Sequence, residues 1–79
     1  MNHAMNMSRL SILSYAKGFT LWHYRVEALE DPTHAGFFND AMNVMAPGDA
    51  ILATGPGFGR TLVVSEISPA GISVTRMPA

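Results

Sequence analysis

The chain of 79 residues contains no cysteine, which excludes a disulfide framework and any metal site built on thiolates. Its three histidines, His3, His23 and His34, are far apart and show no spacing typical of metal ligands. No apolar run reaches the roughly 18 residues of a membrane-spanning helix, and the first residues lack the apolar segment of a signal peptide. We therefore expect no cofactor, no metal and no contact with a membrane.

Charge is also scarce, at 14% of the residues against roughly 25% in an average soluble domain. The formal net charge is −1, so the chain offers no basic surface for the phosphates of nucleic acid. Hydrophobic residues make up 48% of the chain, and so small a domain has too much surface for its volume to bury them all. This composition predicts an apolar patch covered by another copy, hence a homo-oligomer. A monomer with a neutral surface of Ser, Thr, Asn and Gly is the simpler alternative.

The first 17 residues are polar and rich in Met and Asn, and Gly18 separates them from the rest. Their apolar residues fit either one helical turn or an extended arm. We interpret 1–17 as an N-terminal arm, frayed or docked on a neighbouring subunit, and 18–79 as one small β-rich domain. The candidate interface residues of this arm are Leu10, Ile12, Leu13 and Tyr15.

Period-two alternation of apolar and polar residues predicts four strands, at 19–29, 50–54, 60–67 and 72–77. The short connections between the last three strands favour an antiparallel meander. In the first strand, the face assigned to the core carries Thr20, Trp22, Tyr24, Val26 and Ala28.

Residues 37–45 have apolar side chains three and four positions apart, which predicts a short amphipathic helix packed on the sheet. Pro47 and Gly48 end this helix, since proline cannot continue it and glycine frees the backbone. The predicted fold class is therefore α+β and mostly β: a small antiparallel sheet or barrel-like domain of about four strands with one short helix.

No set of residues suited to catalysis can be assembled from the sequence, so we expect a protein that is not an enzyme. The glycine-rich segment 55–61 lacks the ending of a phosphate-binding loop and precedes a strand rather than a helix. We interpret it as a hairpin loop with Phe58 at its tip, a further candidate interface residue. Asp49 follows Pro47 and Gly48 and fits an Asx-type turn cap better than a catalytic carboxylate.

The segments 36–41 (GFFNDA) and 47–51 (PGDAI) resemble a pattern in small virion-associated proteins of tailed bacteriophages and prophages. In these proteins a G-[YF]-F-N-D-A helix precedes a G-D-x-I strand and two more strands, and an aromatic strand lies upstream. The resemblance spans about residues 18–77 and implies a capsid decoration, head spike or fibre-base protein. It further implies a trimer that binds capsid or other virion proteins and is assembled in the bacterial cytoplasm. The residues that match the motif, interpreted as fold determinants, are Phe37, Phe38, Asn39, Asp40, Gly48 and Asp49.

Two hypotheses about function follow. The first is a structural subunit of a phage or phage-like particle that self-associates and attaches to the capsid or to a spike or fibre. The second is a small barrel-like module that binds carbohydrate or single-stranded nucleic acid through exposed aromatic rings such as Phe58. In the strand at 19–29, alternation places Trp22 and Tyr24 opposite His23 and Arg25, which separates a stacking surface from the positive charge. We therefore prefer the structural subunit.

Overall fold

The computed structural model describes residues 5–27, 30–34 and 36–76, with Ala16 and Phe58 described by their backbone alone. Within these residues a single sheet contains five strands in chain order. Every neighbouring pair is antiparallel except β2 and β3, which are parallel. The predicted mostly β character is confirmed. The strands are β1 (Leu10–Ala16), β2 (Phe19–Arg25), β3 (Ala50–Gly55), β4 (Phe58–Ser68) and β5 (Gly71–Arg76).

The fifth strand, which the sequence prediction omitted, is β1. It lies in the segment 1–17 that we interpreted as an arm, and it pairs with β2 from Leu10–Tyr24 to Ala16–Phe19. The boundary at residue 17 therefore falls inside a β-hairpin. The alternation of β1 is hidden because a bulge shifts the register between Ile12 and Ser14, which moves the following side chains to the opposite face.

The predicted meander of the last three strands is confirmed, with antiparallel pairing of β3 with β4 and of β4 with β5. The sheet as a whole is nevertheless mixed, because β2 and β3 run in parallel. Parallel neighbours require a long crossover, and residues 26–49, here called the crossover, provide it. The sheet is open rather than barrel-like, since β1 and β5 form its two edges.

The helix predicted at 37–45 is corrected to a series of tight turns around one 3-10 turn, Asn39–Ala41. Another 3-10 turn, Met7–Arg9, precedes β1. In the crossover the backbone bonds run mostly to the third preceding residue, as from Asn39 N to Gly36 O and from Ala41 N to Phe38 O. So short a helix has little stability of its own, and the segment is held instead by the burial of Phe37 and Phe38.

The core lies between one face of the sheet and the crossover. Tyr24, Phe37 and Phe38 pack edge to face, with ring centroids 5.0–5.6 Å apart. The predicted core face of β2 is confirmed for Trp22 and Tyr24, which are buried, whereas Thr20 is half-buried and Ala28 lies outside the described residues. The buried apolar residues that form this core are Met5, Trp22, Tyr24, Val26, Phe37, Phe38, Ala41, Met45, Ile51, Ala53, Leu62, Val64 and Ile72.

Candidate interaction surface

Large exposed hydrophobic side chains are concentrated on the β1–β2 hairpin. Ile12 is 43% exposed, Leu13 52%, Tyr15 76% and Phe19 41%. We call these four residues the hairpin surface. Two further large hydrophobic residues of the described chain are exposed elsewhere: Met7 just before β1, and Val44 on the crossover. An apolar cluster of this kind typically marks a contact with another molecule.

The hairpin surface projects on both sides of the sheet. Paired residues of antiparallel strands point to the same face, so Ile12, opposite the buried Trp22, lies on the core side. Tyr15, opposite Thr20, lies on this side as well. Phe19 alternates with Thr20 and projects on the other face. No residue of β1 carries a charge.

The interface residues predicted from the sequence have different positions in the structure. Ile12, Leu13 and Tyr15 are exposed, whereas Leu10 is partly buried and packs against the core. Phe58 begins β4, and its backbone pairs with Gly55; its side chain lies outside the description. Phe19 was missed, although alternation already placed it opposite the Trp22 face.

Asp49 is the buried acidic residue of the described chain, at 4% exposure. Its Oδ1 accepts a hydrogen bond from the backbone N–H of Thr20, and its Oδ2 accepts from Trp22 Nε1 and the backbone N–H of Ala46, all at 3.0 Å. The carboxylate thereby joins β2 to the crossover. The predicted Asx-type cap is corrected, because two of these donors lie 27 and 29 residues away in the chain. Such an arrangement suits a structural carboxylate.

Other motif residues hold the crossover against the far edge of the sheet. Asn39 Oδ1 accepts a hydrogen bond from Ile72 N at 2.8 Å, and Gly36 N donates to Ile72 O at 3.3 Å. Gly71 has a φ of 135°, and a Cβ there would lie 2.5 Å from Asn39 Oδ1, so a larger residue would disturb the contact. Asp40 is exposed. A depression of about 290 Å³ beside this contact has no ionisable residue in its lining.

Arg9, Glu30 and Tyr24 form a charged network that the sequence did not indicate. The Arg9 guanidinium donates two hydrogen bonds to the Glu30 carboxylate, at 2.9 and 2.8 Å, and lies 5.3 Å from the centre of the Tyr24 ring. Tyr24 donates its hydroxyl to Glu30 Oε2 at 3.0 Å. The partners are 21 residues apart in the chain, so no local pattern could reveal the pair. The network holds the segment before β1 on the sheet.

The network also changes the pKa of its members. Burial raises the pKa of Glu30, but the hydrogen bonds from Arg9, the Glu27 backbone and Tyr24 outweigh this, so the pKa lies below its ordinary value. The hydrogen bond to Glu30 raises the pKa of Arg9. Burial raises the pKa of the Tyr24 hydroxyl. Glu30 and Arg9 thus remain an ion pair over a wide pH range.

Two other kinds of site are absent from the described residues. No three His, Cys, Asp or Glu side chains come together there as metal ligands would. No helix in that part of the chain has the length and apolar character needed to cross a bilayer. His23, on β2, has its Nε2 2.8 Å from Thr54 Oγ1.

Comparison with known proteins gave no match to the chain. No family model matches it, and neither a curated protein nor a solved structure does so. Its function is therefore inferred from its own surface and contacts.

Proposed function

We propose that the chain is a non-enzymatic structural subunit that self-associates through the hairpin surface. The observation that supports this is the concentration of exposed Ile12, Leu13, Tyr15 and Phe19 on two adjacent strands. An aromatic side chain buries roughly 150–250 Å², so the Tyr15 ring, 76% exposed, presents about 150 Å² to water. Covering that area contributes at most about 4 kcal/mol per copy, part of which offsets the entropy lost on association.

We further propose that the assembly belongs to a bacteriophage or phage-like particle, as the resemblance at 36–41 and 47–51 implies. The partners are then capsid or other virion proteins, and the resemblance implies three copies. In support, motif residues make contacts on which the sheet depends: Phe37 and Phe38 in the core, Asn39 on β5 and Asp49 on β2. These residues stabilise the fold. None of them lies on the β1–β2 hairpin, so the exposed residues of the hairpin are available to bind a neighbour.

The first test of this proposal is the mass of the purified chain as a function of concentration. Analytical ultracentrifugation in the micromolar range should show a species of more than the 8.5 kDa of one chain. Particles purified from the host by density gradient should contain the chain in a fixed ratio to the capsid protein. A chain that stays monomeric and is lacking from such particles would end the proposal.

The second candidate, a module that binds carbohydrate or single-stranded nucleic acid, is favoured by the exposed rings of Tyr15 and Phe19. These rings project on opposite faces of the sheet, so they do not form one stacking surface. Trp22 is the single tryptophan and lies opposite Ile12, so its fluorescence reports on the hairpin. Unchanged fluorescence and no heat of binding across oligonucleotides and glycans would exclude this candidate.

A further inference from the structure

The two edges of the sheet differ in their protection. An edge strand presents unpaired N–H and C=O groups, which most proteins shield with charges, proline or a covering segment. On β5 the crossover occupies both backbone groups of Ile72, and the strand ends in Arg76. On β1 there is neither a charge nor a proline. The bulge at Leu13 is the protective feature that β1 retains.

The backbone of Tyr15 points to the open side of β1. Paired residues in antiparallel strands alternate between pairs that exchange hydrogen bonds and pairs that do not. Thr20, opposite Tyr15, directs its N–H away from β1 to Asp49 Oδ1, at 3.0 Å. Tyr15 therefore belongs to a pair without mutual hydrogen bonds, and its N–H and C=O face outwards. The Ser14 hydroxyl lies 3.5 Å from the Tyr15 oxygen, and the Tyr15 N–H has no backbone acceptor among the described residues.

We infer that the edge of β1 pairs in antiparallel orientation with β1 of a second copy. The inference rests on the proposed self-association and specifies its surface and partner. Neither β1 strand carries a charge, so no like charges lie within the paired segment itself, and Ile12, Leu13 and Tyr15 supply apolar contacts beside the new hydrogen bonds. The other edge, β5, is a poorer partner because the crossover already occupies Ile72.

The size of this contact sets its strength. Seven residues of β1 extend over about 23 Å at ~3.3 Å per residue. With side chains covering a depth of about 10 Å, two copies bury roughly 500 Å², less than the ~1,200 Å² of a standard interface. We therefore expect a reversible dimer at micromolar concentration or above, strengthened where many copies are held on one particle.

The symmetry of the contact predicts its stoichiometry. A surface that pairs with itself closes after two copies. The expected mass is about 17 kDa, twice the 8.5 kDa of one chain, or an even multiple of the chain. The trimer implied by the resemblance would instead have three times that chain mass, and ultracentrifugation separates the two.

The test compares two single substitutions. Tyr15→Lys and Val44→Lys each remove an exposed hydrophobic residue, 76% and 53% exposed, and each add one positive charge. Val44 lies on the crossover, so it is the matched control. Tyr15→Lys should raise the dimer dissociation constant at least tenfold, because it places two like charges at the shared edge, whereas Val44→Lys should leave it unchanged. The urea midpoint, followed by Trp22 fluorescence, verifies that both variants are folded.

Two further measurements address the backbone itself. Hydrogen exchange of the Tyr15 amide should slow as the protein concentration rises, since that N–H becomes bonded only in the dimer. Because the chain has no cysteine, single cysteines introduced at Ile12, Leu13, Ser14 and Tyr15 should crosslink best at the position nearest the two-fold axis.

The outcomes separate the inference from the proposed function. Two results would overturn the β1 contact but leave self-association standing. In one, an assembly forms while the Tyr15 amide exchanges at the same rate at all protein concentrations. In the other, Tyr15→Lys weakens the assembly no more than Val44→Lys does. An odd-numbered assembly would do the same. A chain that remains monomeric at millimolar concentration would overturn both.

Discussion

Replacing Asp49 by alanine should destabilise the fold by about 3–5 kcal/mol, since three donors lose their acceptor at once. Trp22 Nε1 is buried, and water cannot easily replace the carboxylate there. The backbone N–H groups of Thr20 and Ala46 are partly buried, so water compensates them in part. An unsatisfied buried donor costs about 1–3 kcal/mol, and we take about 2 kcal/mol for the indole and about 1 for each amide.

This loss is large for so small a chain. At roughly 0.05–0.15 kcal/mol per residue, 79 residues have a stability of about 4–12 kcal/mol. Asp49→Asn should cost less, about 1–2 kcal/mol, because one amide oxygen still accepts from Trp22 Nε1 and Ala46 N while its NH2 group faces the Thr20 donor.

Urea denaturation followed by Trp22 fluorescence measures both variants, since Trp22 is the single tryptophan and is buried. Asp40→Ala is the matched control: it removes an exposed carboxylate of the same type and should change the stability by less than about 0.5 kcal/mol. The measurements should be made at protein concentrations too low for self-association, so that a partner chain does not add to the measured stability. If Asp49→Ala lost no more than Asp40→Ala, the three hydrogen bonds would not stabilise the fold as argued.

Other predictions concern the core, the charged network and the far edge. Phe38→Ala should cost about 3–5 kcal/mol in urea denaturation because its ring, 1% exposed, leaves a cavity; a loss below 1 kcal/mol would place the ring outside the core. The folded pKa of Glu30 lies below its ordinary 4.5. Glu30 therefore stabilises the folded state fully above about pH 4.5, and this stabilisation is lost as the pH falls through the folded pKa. Urea midpoints of Glu30→Gln, which weakens the pair with Arg9, should therefore depend less on acid than those of the wild type. Gly71→Ala should destabilise the fold by about 1–3 kcal/mol, because Gly71 has a positive φ and a Cβ there would lie too close to Asn39. An unchanged urea midpoint would show that Asn39 can move away without loss of stability.

Much of the sheet could be predicted because it depends on local alternation. The core face of β2 and the meander of β3, β4 and β5 follow from neighbouring residues and short turns. The alternation of apolar and polar residues did not reveal β1, because one bulged residue there moves the following side chains to the opposite face of the sheet. The pattern-based prediction also failed in the crossover, where an apolar stripe at helical spacing formed tight turns around one 3-10 turn, because so short a helix has little stability of its own.

The candidate surface was predictable in part. Ile12, Leu13 and Tyr15 stand out as apolar residues in a polar segment, and the structure leaves them exposed. Their use as an interface stays a prediction. Sequence alone could not distinguish them from Leu10, which packs against the core, because Leu10 reaches the core only through its pairing with Tyr24 in the folded sheet. The pair of Arg9 and Glu30 was missed since its residues meet only after folding.

The sequence by itself determined the scarcity of charge, the absence of thiol chemistry and the alternation that makes this chain a sheet. These properties depend on residue types and on spacings of two to four residues. The tertiary structure alone decided that β2 and β3 run in parallel, that Asp49 holds β2 to the crossover, and that the crossover covers Ile72 on the β5 edge. Each of these depends on contacts between residues more than twenty positions apart, which no local pattern records.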